Sequence, residues 1–109
     1  MDLQQYIETS RLRLHEVEHA IAQFDFTRGD HAAYQKLNRE YLSLQRLVKA
    51  WDRRQRLQAD LEQNRHLLET ETDQEFLEVV RADIASLEGE AADLDRQIRL
   101  LILPPHPNE

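Results

Sequence analysis

Two histidines near the N-terminus, His15 and His19, have the spacing of a zinc peptidase motif. In the string His-Glu-x-x-His, two histidines one helical turn apart hold Zn²⁺ and the glutamate, here Glu16, activates a water. Val17 belongs to an apolar helical seam, however, and at about 100° per residue both histidines fall opposite that seam, toward solvent. No later segment supplies an obvious third ligand. We therefore interpret the string as a coincidence and keep a zinc peptidase as the third alternative.

Other residues that could do chemistry do not form a reactive site. His66 with Glu62 and Glu69 could be drawn as a metal-binding helix face, but a solvated Glu/His surface explains the three residues equally well. The sequence contains no set of nucleophile, base and oxyanion donors, and no glycine-rich phosphate loop. We expect no catalysis by this chain alone, no metal, no cofactor and no small-molecule substrate.

A run of basic residues is the one charge feature that exceeds the background. Five cations follow three-, four- or seven-residue steps opposite an apolar seam, and we call them the basic stripe: Arg39, Arg46, Lys49, Arg53 and Arg56. Residues 46–56 hold five cations, including Arg54, against the single acid Asp52. The stripe is either a solvated face steadied by pairs such as Asp52 with Arg56, or a docking surface for RNA or an acidic protein.

Composition narrows the class of protein. The 109 residues are 40% hydrophobic and 32% charged with two glycines, which favours one helical domain. A formal net charge of −7 argues against general affinity for nucleic acid or anionic membranes. The sequence has no cysteine, no secretory leader pattern and no apolar run that could span a bilayer. We therefore expect a cytoplasmic protein that is neither exported nor inserted in a membrane.

Apolar periodicity predicts the elements that carry these residues. The predicted fold is all-α, with helices at about residues 2–24, 31–69 and 73–103 forming one bundle over 1–103, and with a proline-rich exit at 104–109 toward a further domain. The second helix is longest. The apolar stripe along this helix is wide up to Trp51, loses its regular spacing between Trp51 and Leu57, and is narrow beyond Leu57. This pattern predicts an elongated antiparallel three-helix bundle that extends into a two-helix coiled-coil hairpin.

Local signals predict how the helices begin. Gly29 should permit an awkward backbone turn before the second helix, and Asp30 should cap that helix. The sequence Thr72-Asp-Gln-Glu75 is a capping-box pattern for the third helix. The third helix has the most regular seam, with eight apolar positions in unbroken three-four alternation: Leu77, Val80, Ile84, Leu87, Ala91, Leu94, Ile98 and Leu101.

Four stretches together resemble one known family. They are the segment from Tyr34 to Leu44, the region of Trp51, the turn at Leu67-Leu68-Glu69 and the exit from Leu100 to Glu109. The chain resembles the N-terminal helical domain of bacterial peptide chain release factor 1, the type that reads UAA and UAG. The family typically has Leu-Leu-Leu-Pro, a basic residue, Asp and Pro at the exit, where this chain has Pro105-His106-Pro107.

The resemblance implies a role in translation termination. A full-length relative recognises a stop codon and triggers hydrolysis of peptidyl-tRNA through a Gly-Gly-Gln motif and a Pro-x-Thr motif, neither of which occurs in these 109 residues. By the same resemblance, this part of the family lies near the ribosomal stalk base and contacts ribosomal protein and RNA. The expected function is thus a non-catalytic docking domain, as a fragment or a truncated product. The rival is a self-associating coiled-coil adaptor, although we expect a monomer.

Overall fold

The computed structural model describes residues 2–102, which form three α-helices. They are α1 (Leu3–Ala22), α2 (His31–Thr70) and α3 (Gln74–Ile102), and no strand occurs between residues 2 and 102. This confirms the predicted all-α class. The proline-rich exit predicted at 104–109 lies outside the described residues. None of the described helices contains a stretch that is long and apolar enough to cross a membrane.

The chain divides into two compact units between Lys49 and Ala50. The sequence predicts one bundle, with a change of packing between Trp51 and Leu57, and the observed boundary lies just before that segment. We call the part up to Lys49 unit 1 and the part from Ala50 unit 2. Helix α2 is unbroken across the boundary, although its buried positions Val48 and Ala50 are only two residues apart, a step that the three-four alternation does not contain.

Unit 1 consists of α1 and the first half of α2, which run antiparallel. The Arg13 guanidinium on α1 donates from Nε and Nη2 to the two carboxylate oxygens of Glu40 on α2, each at 2.8 Å. Helix α1 begins with a capping box in which Asp2 and Gln5 bond each other's backbone N–H groups. Leu3, in the first turn of α1, is exposed. The buried side chains of the unit are Ile7, Ser10, Leu14, Val17, Leu47 and Val48.

The turn between α1 and α2 is held by Asp25 and by three aromatic rings. The Asp25 carboxylate accepts hydrogen bonds from the hydroxyl and the backbone N–H of Thr27, at 2.6 and 2.9 Å, and these bonds lower its pKa. Phe24, Phe26 and Tyr34 contact one another, with ring centroids 4.9 to 5.4 Å apart. The aromatic cluster therefore joins the turn to the first residues of α2.

Gly29 is needed in this turn for a different reason from the one predicted. No glycine among residues 2–102 has a positive φ, so the backbone conformation does not require it. A Cβ at this position would instead lie 2.7 Å from the carbonyl oxygen of Asp25 and 2.5 Å from Cζ of Phe24. The same carbonyl accepts the Gly29 N–H at 2.6 Å, so the chain crosses itself too closely for a side chain. Asp30 then caps α2 as predicted, accepting the Ala32 N–H at 2.9 Å.

Unit 2 pairs the second half of α2 with α3, again antiparallel. Arg53 bonds Glu90, and further along α2 Arg65 lies 3.7 Å from Glu88. All eight positions of the predicted α3 seam are buried or half-buried. The buried apolar side chains of the unit are Ala50, Leu57, Leu61, Leu77, Val80 and Ile98. Fully burying one such large side chain contributes about 1.5 to 3 kcal/mol.

The start of α3 differs by one residue from the predicted capping box. Helix α3 begins at Gln74, so its cap is Asp73, whose carboxylate accepts the backbone N–H groups of Glu75 and Phe76 at 3.0 and 3.4 Å. The prediction that Thr72 caps α3 is therefore wrong. A carboxylate next to the first turn is negatively charged and can accept both bonds, which makes it the stronger cap at the positive end of the helix.

Replacing either glycine by alanine adds the same methyl group, but we expect opposite changes in the free energy of unfolding. Gly29→Ala should lower the free energy of unfolding by about 1 to 3 kcal/mol, because the Asp25 carbonyl and the Phe24 ring must shift. Gly89 lies inside α3, and no atom outside its own helix backbone is within 4 Å of the place that a methyl group would take, so Gly89→Ala should raise stability by about 0.5 to 1 kcal/mol. Urea unfolding of each variant measures both changes, and a loss of stability in both variants would contradict the account.

The pair between Arg13 and Glu40 predicts a pH-dependent contribution to stability. The hydrogen bonds from Arg13, followed by its charge, lower the pKa of Glu40 below its ordinary value of 4.5. The folded state therefore holds this proton less tightly than the unfolded state, so the stabilisation is present above the ordinary value and is lost as pH falls through the lowered one.

We expect Glu40→Gln to lower the urea midpoint at neutral pH. The difference from the unsubstituted chain should shrink in acid, because Glu40 becomes protonated there. Glu69→Gln removes the same charge from an exposed position and is the control. A midpoint difference for Glu40→Gln that stays constant through the acid range would exclude this pair as its source.

Candidate docking surface

The five residues of the basic stripe all lie on α2, but they do not share one environment. Arg39, Arg46 and Lys49 belong to unit 1, and all three are exposed. Arg53 and Arg56 belong to unit 2, where Arg56 is exposed and Arg53 is half-buried. The five residues therefore lie on one helix, as their spacing predicts, but they differ in how far their side chains are exposed.

In unit 1 the stripe residues are uncommitted cations. Within residues 2–102, neither Arg39, Arg46 nor Lys49 forms an ion pair or a side-chain hydrogen bond. The only acid of α2 in this unit, Glu40, is bonded to Arg13. Leu42 is 39% exposed, and at spacings of three and four residues it shares the face of these cations. The face offers guanidinium and ammonium donors that suit phosphate or carboxylate groups.

In unit 2, Arg53 is paired with a glutamate of the same unit. Its Nε and Nη2 donate to the two carboxylate oxygens of Glu90 at 2.7 and 3.2 Å, and these bonds lower the pKa of Glu90. Arg54, outside the stripe, pairs with Asp95 of α3. The fork of Arg53 is thus occupied by a residue 37 positions away. Periodicity along one helix gives no signal for such a partner, so the sequence could not separate Arg53 from its neighbours.

The histidines of the zinc-like string point where the sequence predicts. His15 and His19 are exposed while Val17 is fully buried. Glu16, the residue that would activate a water, lies 3.1 Å from the guanidinium of Arg13. His66, Glu62 and Glu69 are also exposed. Over residues 2–102, no three His, Cys, Asp or Glu side chains converge in a way that could hold a metal ion.

Each unit has a shallow groove between its two helices. The groove of unit 1, about 400 Å³, is lined by Glu18, Ile21, Ala22, Asn38 and Tyr41. The groove of unit 2, about 290 Å³, is lined by Asp60, Asn64, Asp83, Ser86 and Leu87. Neither lining contains a histidine, a lysine or an arginine beside a nucleophile. The two linings present carboxylate, amide, hydroxyl and apolar groups.

Comparison with protein families identifies the domain. The model of the PCRF domain matches residues 10–109, which is nearly the whole chain. The chain belongs to the PCRF domain family. This confirms the predicted resemblance to the N-terminal helical domain of release factor 1. The comparison with solved structures gives no match.

Three curated relatives of this PCRF domain are named peptide chain release factor 1. Peptide chain release factor 1 of Geobacter metallireducens is 34% identical over 103 residues, which cover 94% of this chain and 28% of the relative. The proteins of the same name from Chloroherpeton thalassium and Clostridium botulinum are 35% and 33% identical over 65% and 70% of the chain. The matched segments cover only 20 to 28% of the length of these relatives.

The contrast between Arg53 and Arg46 predicts different effects on the stability of this PCRF domain. Arg53→Gln should lower the urea midpoint, because Glu90 loses the partner that bonds both of its oxygens. Arg46→Gln should leave the midpoint unchanged, since Arg46 is exposed and forms no ion pair within the described residues. Both substitutions remove one positive charge, so equal shifts would show that charge, and not the bonding to Glu90, determines the result.

Proposed function

We propose that this PCRF domain is the non-catalytic docking domain of a peptide chain release factor that acts in stop-codon-dependent termination on the ribosome. The observation that supports this most directly is the family match over residues 10–109, together with relatives named peptide chain release factor 1. The resemblance at the exit string favours the type that reads UAA and UAG. A cytoplasmic location follows from this role.

The chemistry of release belongs to other parts of such a factor. The chain has no Gly-Gly-Gln or Pro-x-Thr tripeptide, and it spans 28% of the relative from Geobacter metallireducens. Its described surface offers cations and shallow grooves but no nucleophile paired with a base. The domain's contribution is thus to bind and position, while hydrolysis of peptidyl-tRNA is carried out elsewhere.

The proposed contact surface is the exposed part of the basic stripe. Arg39, Arg46 and Lys49 are uncommitted cations on one face of unit 1, and Arg56 is exposed in unit 2. Arg53 is left out because Glu90 occupies its guanidinium. The partners that fit are ribosomal RNA and ribosomal protein at the stalk base, since phosphate groups and carboxylates both complement these donors. We propose that the domain binds as a monomer.

A competition experiment tests this function. The 109-residue chain should bind bacterial 70S ribosomes equally well with a stop or a sense codon in the decoding site, because codon reading lies outside it. In excess it should slow peptide release by full-length release factor 1, and it should release no peptide by itself. A complete lack of competition at saturating concentration would overturn the proposal, and sedimentation of the free chain checks the expected monomer.

Charge reversal locates the contact surface. Arg46→Glu with Lys49→Glu should weaken ribosome binding, and it should reduce the salt dependence by about one unit of slope for each phosphate contact that is lost. The control is Arg28→Glu with Arg81→Glu, which makes the same charge change at exposed residues away from the stripe. Equal weakening by both pairs would show a general charge effect and remove the stripe from the proposal.

A further inference from the structure

The negative charge of the chain is concentrated in one segment of unit 2. Residues 58–90 contain ten acidic residues and two arginines, a formal net charge of −8, whereas the whole chain has −7. From residue 67 to residue 80 there are five acids and no basic residue. The second half of α2, the turn and the first half of α3 therefore create a strong negative potential, and the remaining residues are close to neutral.

A groove between the two helices of unit 2 lies inside this segment. It measures about 290 Å³, and Asp60 and Asn64 of α2 and Asp83, Ser86 and Leu87 of α3 line it. Two turns along α3 from Asp83, Glu90 pairs with Arg53, which lies two turns before Asp60 on α2. Asp60 and Asp83 thus line the same groove from opposite helices, and Arg65 and Glu88, which lie 3.7 Å apart, follow the lining residues Asn64 and Leu87 in the sequence.

The two aspartates of the groove lack a cation of their own. Within residues 2–102, no ion pair involves Asp60 or Asp83. Asp60 acts on Arg53 at longer range and helps to raise its pKa, but the hydrogen bonds of that guanidinium go to Glu90. Both carboxylates are therefore open to a positive group from outside.

Apolar side chains continue this face toward the turn. Val79 and Phe76 lie one and two helical turns before Asp83 on α3, and they are 57% and 41% exposed. Leu87 lines the groove on the other side of Asp83. The face therefore alternates apolar and acidic positions, which suits a partner that presents apolar and basic side chains at helical spacing.

We propose that this face, which we call the acidic groove (Phe76, Val79 and the groove between Asp60 and Asp83), docks a basic, amphipathic segment of another protein. A lysine or arginine of the partner enters between Asp60 and Asp83 with its aliphatic stem on Leu87, and an apolar side chain covers Val79 and Phe76. RNA is repelled by the local charge of −8, and a second copy of the same face carries the same charge. The residues of the acidic groove are not members of the basic stripe, and the proposal does not rest on ribosome binding.

The first arm of the experiment measures binding of a fluorescein-labelled amphipathic lysine-leucine peptide to the full 109-residue chain by anisotropy. Asp60→Asn with Asp83→Asn should weaken binding about fivefold, since each partly exposed ion pair contributes roughly 0.5 kcal/mol. The matched control is Glu69→Gln with Glu71→Gln, which removes two charges from the same acidic segment outside the groove. This control should change the affinity less than the groove variant does.

The second arm separates the apolar contact from the charge. Phe76→Ser with Val79→Ser should weaken binding of the amphipathic peptide but leave binding of an oligolysine of equal charge unchanged. Circular dichroism and the urea midpoint check that each variant is folded, and both aspartate changes preserve side-chain shape. Equal losses in the groove and control variants would overturn the proposal, because they would indicate only general attraction to the acidic segment. Tighter binding of an oligouridylate than of the amphipathic peptide would overturn it as well.

Discussion

Burial along α2 is the constraint on which the rest of the structure depends. Helix α2 has 40 residues, and most helical stability in proteins comes from packing one face of a helix against another element. In unit 1 the buried residues of α2 are Leu47 and Val48, and in unit 2 they are Ala50, Leu57 and Leu61. Helix α2 thus contributes to both compact units, and neither unit can form without its half of this helix.

Arginine–carboxylate pairs help to fix how the packed helices of each unit align along their length. Arg13 with Glu40 in unit 1, and Arg53 with Glu90 in unit 2, each join two helices through both oxygens of one carboxylate. The pairs are partly exposed, so each contributes little to stability compared with the buried apolar side chains. Their geometric effect is larger, because a guanidinium can donate two hydrogen bonds to one carboxylate in only a few arrangements. They also decide which charges remain available to a partner.

The sequence predicts the helices well because their signals are local and repeated. The three-four alternation of Leu77, Val80 and Ile98 places them correctly on the buried side of α3, and Asp30 caps α2 as expected. The errors lie where the deciding contact is not repeated. Gly29 is needed because of the Asp25 carbonyl and not because of its φ, and the cap of α3 is Asp73 and not Thr72. Choosing between neighbouring cap residues requires knowing where the first turn starts, and the pattern does not fix this to one residue.

The candidate surfaces are harder to predict because they depend on what is left unpaired. A cation is available to a partner only if no acid from another helix reaches it, so Arg46 and Arg53 look alike in the sequence and differ in the structure. Net charge misleads for a related reason. A total of −7 predicts repulsion of phosphate, yet residues 58–90 alone account for −8, and the basic face of unit 1 lies outside that segment. Screening at physiological salt acts over about 8 Å, so a partner that contacts either face experiences mainly the local charge. One chain can therefore present a basic face and an acidic groove to partners of opposite chemistry.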